Sequence, residues 1–119
     1  MNRNDIENRL VKFTVEIIKL TKNLKVEFAS EHLAKQIIRS SSSSALNYGE
    51  TQGASSYKDF IHKMSLVLKE LRESYINLKI IRASDLIQND VDIKKLIMEC
   101  NELISIFHKS IRTAKAKKN

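Results

Sequence analysis

The sequence predicts an all-α protein, an up-down-up-down antiparallel four-helix bundle, and three observations lead there. The 119 residues include two glycines and no proline, so little interrupts the chain and long helices follow. Apolar residues recur at alternating spacings of 4 and 3 through four stretches, which lines them along one side of a helix. Only short polar breaks separate those stretches, and short connections make neighbouring helices antiparallel. The length suits one domain with one core, burying about two-thirds of its unfolded surface.

The first helix is expected at about residues 5–24, where Ile6, Leu10, Phe13, Ile17, Leu20 and Leu24 form the stripe. Lys19, Lys22 and Lys25 sit in or just past its last turn, where positive charge suits the helix dipole. A turn over Lys25–Glu27 leads to a second helix at about 28–52. Gly53 can then take the left-handed conformation past a helix end. Ser56 with Asp59 resembles a capping box for a third helix at about 57–83. Its stripe is Tyr57, Ile61, Met64, Leu68, Leu71, Tyr75 and Leu78, while Leu66, Ile76 and Ile80 lie off it and leave apolar area expected at a contact between copies of the chain. Asn89 or Asp90 caps a fourth helix at about 91–114, with Ile93, Leu96, Cys100, Leu103 and Phe107 inward. A short basic tail follows.

The second helix carries the most informative stretch, Gln36 to Glu50. Gln36, Ser40, Ser43, Asn47 and Glu50 are spaced 4, 3, 4, 3, a polar seam along one line of the helix. At 100° per residue the seam lies about 130° from the apolar arc of Leu33, Ala34, Ile37, Ile38, Ala45 and Tyr48. Five serines from Ser40 to Ser44 could read as a linker. The arc keeps its register through them without glycine or proline, which predicts helix.

The same residues carry a family resemblance. Gln36, Arg39, Ser40, Ser43, Asn47 and Glu50, followed by Ser56, Lys58, Asp59 and Phe60, resemble the pattern of a bacterial family. It is the four-helix-bundle family also called 23S rRNA intervening-sequence proteins. The likeness spans nearly the whole chain and departs at Tyr48-Gly49, where the family usually has small or aliphatic residues. A similar protein is the accessory variability determinant of diversity-generating retroelements, a basic pentamer of such bundles that binds nucleic acid and a reverse transcriptase. The resemblance implies a homopentameric ring with nucleic acid as partner.

No catalytic constellation is visible. Di-iron bundles need carboxylates from all four helices and two Glu-x-x-His pairs. One Asp59-x-x-His62, without a second copy, does not meet that requirement. His32, His62 and His108 share no spacing, and Cys100 falls on a core stripe as a small hydrophobe. The expectation is a non-enzyme with no metal and no cofactor. A lone cysteine fits a reducing cytoplasm, and no apolar run approaches a membrane span or signal segment.

Charge is the better clue. Lysine and arginine number 21 against 14 acids, a net +7. No acid follows Glu102, and Lys109, Arg112, Lys115, Lys117 and Lys118 supply five of those seven excess charges. Such a cluster can track phosphates by releasing counterions, giving salt-sensitive, sequence-tolerant binding. It can equally be a solvated terminus that favours the helix dipole. With the resemblance added, the sequence reads as an oligomeric basic scaffold binding RNA or DNA. The alternative is a protein–protein interaction module. Gln36, Arg39, Ser40, Ser43, Asn47 and Glu50 are expected at a subunit contact, with Leu46 on their outer side; the alternative is a brace between adjacent helices of one chain.

Overall fold

The structure is a computed structural model that describes residues 2–118, with side chains through Lys117. Four helices pack against one another: α1 Arg3–Thr21, α2 Phe28–Glu50, α3 Tyr57–Ala83 and α4 Asp90–Lys118. No strand occurs among the described residues. The particle measures 50 × 21 × 21 Å, the shape of helices laid side by side.

Local chemistry sets the helix ends. Asn2 caps α1 by accepting from the Asp5 N–H at 3.0 Å, while Asp5 accepts from the Asn2 N–H at 3.1 Å. That reciprocal box starts α1 two residues before the expected Asp5. Past Thr21 the chain leaves the helix, and the Lys25 N–H donates to the Leu86 carbonyl at 2.8 Å. This bond ties the α1–α2 loop to the α3–α4 turn, so both lie at one end of the bundle. Ser56 accepts from the Asp59 N–H at 3.0 Å, and the Asn89 carbonyl oxygen of the side chain accepts from Val91 N–H at 3.0 Å. Both N-caps are in place, but the expected box at Ser56 is not closed, because the Asp59 carboxylate accepts from the Ser55 N–H at 3.0 Å instead of the Ser56 N–H.

Two turn residues behave differently from expectation. Gly53 does not take the left-handed conformation; it ends a short 3-10 turn, Thr51–Gly53, that prolongs α2. The left-handed residue is instead Asp85, φ 54°, just past α3. Its short polar side chain tolerates that region better than most.

The core lies where the stripes converge. Leu10, Phe13 and Ile17 of α1, Ile37 of α2, Leu71 and Leu78 of α3, and Cys100, Leu103 and Phe107 of α4 are fully buried. Each large side chain so buried contributes about 1.5–3 kcal/mol. Tyr48 meets Phe107 edge-on, ring centroids 5.5 Å apart, and this contact joins α2 to α4. Tyr57, expected on the α3 stripe, is instead 43% exposed, because it opens the helix where no neighbour covers it; it stacks on Phe60.

The serine run is helix throughout. Ser41 and Ser44 are buried and return their hydroxyls to backbone carbonyls, Ser41 to Ile37 and Ser44 to Ser41, both at 2.7 Å. These small, satisfied side chains leave room for α1, whose Thr14 hydroxyl reaches the Ser41 carbonyl at 3.0 Å.

Candidate nucleic-acid interface

The polar seam of α2 divides into two halves. Its first half is bonded to α3 within the same chain. Ser40 and Ser74 hold their hydroxyls 2.7 Å apart, and the Asn77 amide donates to the Gln36 side-chain oxygen at 3.5 Å. Beside them the Arg39 guanidinium donates to Glu70 at 2.9 Å and to Glu73 at 2.6 Å. These pairs also fix the antiparallel register, residue 36 against 77 and 40 against 74. In the second half, Ser43 and Asn47 are half-buried and Glu50 is exposed, with no side-chain partner among the described residues. The seam is therefore an internal brace over Gln36, Arg39 and Ser40, and an unengaged row beyond.

The brace borders the main concavity. A groove of about 1080 Å³ runs along the outer face of α3, flanked by Gln36 and Arg39 of α2 and by His108, Arg112 and Lys115 of α4. Ser65, Lys69, Arg72, Ile76 and Ile80 of α3 line it at spacings of 4, 3, 4 and 4, one strip turned away from the core stripe. Leu68, Ile111 and Asn77 complete the floor. Four cations in it, Lys69, Arg72, Arg112 and Lys115, have no carboxylate within 4.0 Å among the described residues. The acid in the lining, Glu73, is held by Arg39. The groove therefore presents positive charge over an aliphatic floor.

The basic terminus is not a tail. α4 continues to Lys118, since nothing between Ala114 and Lys117 breaks a helix, and lysines suit its dipole there. A helix distributes charges around its axis, so the expected cluster is split. Arg112 and Lys115 enter the groove, whereas Lys109 and Lys117 are exposed outside it. The Lys118 side chain lies outside the described residues. Lys69 and Arg72 are the cations that sequence reasoning missed. Their signal is the strip at 65, 69, 72, 76 and 80, where Ile76 and Ile80 lie off the core stripe and the two cations share their face.

Cys100 is fully buried, its Sγ–H donating to the Leu71 carbonyl at 3.3 Å. Burial pushes its thiol up to about 12, so no thiolate is available. Among the described residues no three His, Cys, Asp or Glu side chains are grouped to hold a metal ion. No described helix is long and apolar enough to cross a membrane.

The family model described as 23S rRNA-intervening sequence protein matches residues 2–109. The chain belongs to that family. The match runs through all four helices and stops before Arg112, so the groove's α3 cations lie inside the family segment and its α4 cations beyond it. A solved structure from Bacteroides thetaiotaomicron, described as a protein of unknown function from the S23 ribosomal protein family, superposes with a TM-score of 0.83. It is 28% identical over 94% of this chain and 99% of its own. Among curated proteins, none matches the chain.

Proposed function

We propose that this member of the 23S rRNA-intervening sequence protein family is a non-enzymatic basic scaffold that binds RNA or DNA through the phosphate backbone. The observation that carries the reading is the groove lined by Lys69, Arg72, Arg112 and Lys115, which have no carboxylate partner among the described residues. Cations that protein acids do not neutralise remain available to phosphates, and the counterions they displace drive binding. The family's description supports a link to ribosomal RNA. Self-assembly belongs to the same proposal, with the pentamer taken from the family resemblance. Exposed Val11, Val15 and Leu46 offer apolar surface that a second copy could cover.

The test is a charge-only variant with Lys109, Arg112, Lys115, Lys117 and Lys118 changed to Gln. Log affinity against log salt should flatten by about 0.9 per lost phosphate contact on duplex DNA and about 0.7 on single strands. Parent protein that binds neither RNA nor DNA at about 50 mM salt, where such binding is strongest, would overturn the reading. The protein-interaction reading would then stand, supported by the aliphatic floor of the groove.

A further inference from the structure

We infer that the groove on α3 holds a single strand lengthwise, its phosphates among Lys69, Arg72, Arg112 and Lys115 and an unpaired base over Ile76 and Ile80. The inference rests on the nucleic-acid reading and names its site and strand class. Three features of the groove lead to it.

The first is width. The whole bundle is 21 Å across, about as wide as a duplex, so a groove between neighbouring helices cannot enclose one. A duplex would touch only the rim. A single strand can sink in and meet cations from α3 and α4 together.

The second is the floor. Ile76 and Ile80 are 52% and 45% exposed, and neither belongs to the buried core. Base faces are apolar and are covered by apolar side chains wherever proteins hold an unstacked base. In a duplex those faces are already stacked, so the floor offers nothing to it. Among the described residues no Phe, Tyr or Trp lines the groove, and its one imidazole, His108, sits on the α4 flank, so base selectivity is modest.

The third is an unmet hydrogen bond. Asn77, 7% exposed, lines the groove beside the isoleucines, and its side-chain oxygen has no partner among the described residues. Its amide reaches Gln36 at only 3.5 Å, a weak bond to an exposed side chain free to swing aside. An asparagine amide offers a donor and an acceptor together, the pair that a base edge can satisfy.

The experiment measures fluorescence anisotropy with a mixed-sequence single-stranded RNA and a hairpin duplex carrying the same number of phosphates. Three proteins are compared with the parent: Lys69→Gln/Arg72→Gln, Ile76→Ala/Ile80→Ala, and the α4 charge variant. The four α3 positions are exposed or outside the core, so the fold should survive, and circular dichroism checks that it does. The parent should favour the single strand. Lys69→Gln/Arg72→Gln should lower its salt slope by about 1.4, two contacts at about 0.7 each. Ile76→Ala/Ile80→Ala should weaken the single strand roughly 3- to 10-fold at unchanged slope, and leave the duplex alone.

If both α3 variants bind the single strand like the parent while the α4 variant loses affinity, the groove assignment is wrong and the nucleic-acid reading survives. Equal parent affinity for strand and duplex also overturns the groove assignment alone. A parent that binds neither overturns both.

Discussion

Arg39 of α2 holds the carboxylate of Glu70 on α3 at 2.9 Å, and that carboxylate is almost entirely removed from water, its side chain 9% exposed. The second arm of the guanidinium takes Glu73 at 2.6 Å on the exposed side. One arginine thus neutralises two acids at the edge of the groove and keeps the concavity positive. A buried acid with its cation removed is costly, whereas removing both partners costs less. Arg39→Met should therefore destabilise by about 1–3 kcal/mol, which at this length lowers Tm by roughly 4 °C per kcal/mol. Arg39→Met/Glu70→Met should recover much of that loss. A double variant no more stable than the single one would show that the pair is not what Glu70 depends on.

Cys100 should be silent in the native protein. Burial and the bond to Leu71 hold it as a thiol, with its ionisation pushed up to about 12. A maleimide at about pH 8 should label nothing in the folded state and one equivalent in denaturant. Rapid native labelling would mean that the α3–α4 core opens far more often than its packing suggests.

Acid should unfold the protein partly through two helix starts. Asp90 is held below the ordinary carboxylate value of 3.8, chiefly by a hydrogen bond from Arg82, and Asp59 chiefly by the Ser55 backbone N–H. A carboxyl depressed in the folded state contributes stability above its unfolded value. That contribution is lost as pH falls from about 3.8 through the depressed value. Asp59→Asn/Asp90→Asn should lower Tm at neutral pH and then lose less than the parent between about pH 5 and about pH 2.5. Parallel Tm curves for parent and variant across that range would rule the mechanism out.

Much of the fold was legible because periodicity is written in the sequence. Ile17, Leu71, Cys100 and Phe107 reached the core from the positions their spacing assigned. Ser41 and Ser44 were harder, since their back-bonds to carbonyls turn a run that resembles linker into packed helix. Gly53 misled because a glycine permits a left-handed turn without requiring one, and here the backbone tightened into a 3-10 turn. The groove was the least legible part. Lys69 and Arg72 look like ordinary solvated charges until α2 and α4 are known to flank that face of α3. The five terminal cations read as one cluster because they are close in sequence, although Lys109 and Arg112 fall within the expected helix and only Lys115, Lys117 and Lys118 lie past its expected end. A helix carries Arg112 and Lys115 into the groove and turns Lys109 and Lys117 away.

The two halves of the α2 seam should separate in experiment. Gln36, Arg39 and Ser40 already have partners on α3, so their substitution acts inside the chain. Ser40→Leu would overpack the contact with Ser74 and should cost about 1–3 kcal/mol. Ser43, Asn47 and Glu50 have no such partners among the described residues, and Leu46 beside them is 68% exposed. Polar groups spaced along one line next to an exposed leucine suit a contact with another copy, where their hydrogen bonds could be completed. Asn47→Leu/Glu50→Leu should therefore lower the mass measured by light scattering, leaving helical content intact. Ser40→Leu should lower Tm first and change mass only as the fold fails. If Asn47→Leu/Glu50→Leu keeps the parent's mass and melts lower, the second half of the seam serves the single bundle, and assembly must use another face, with Val11 and Val15 the next to test.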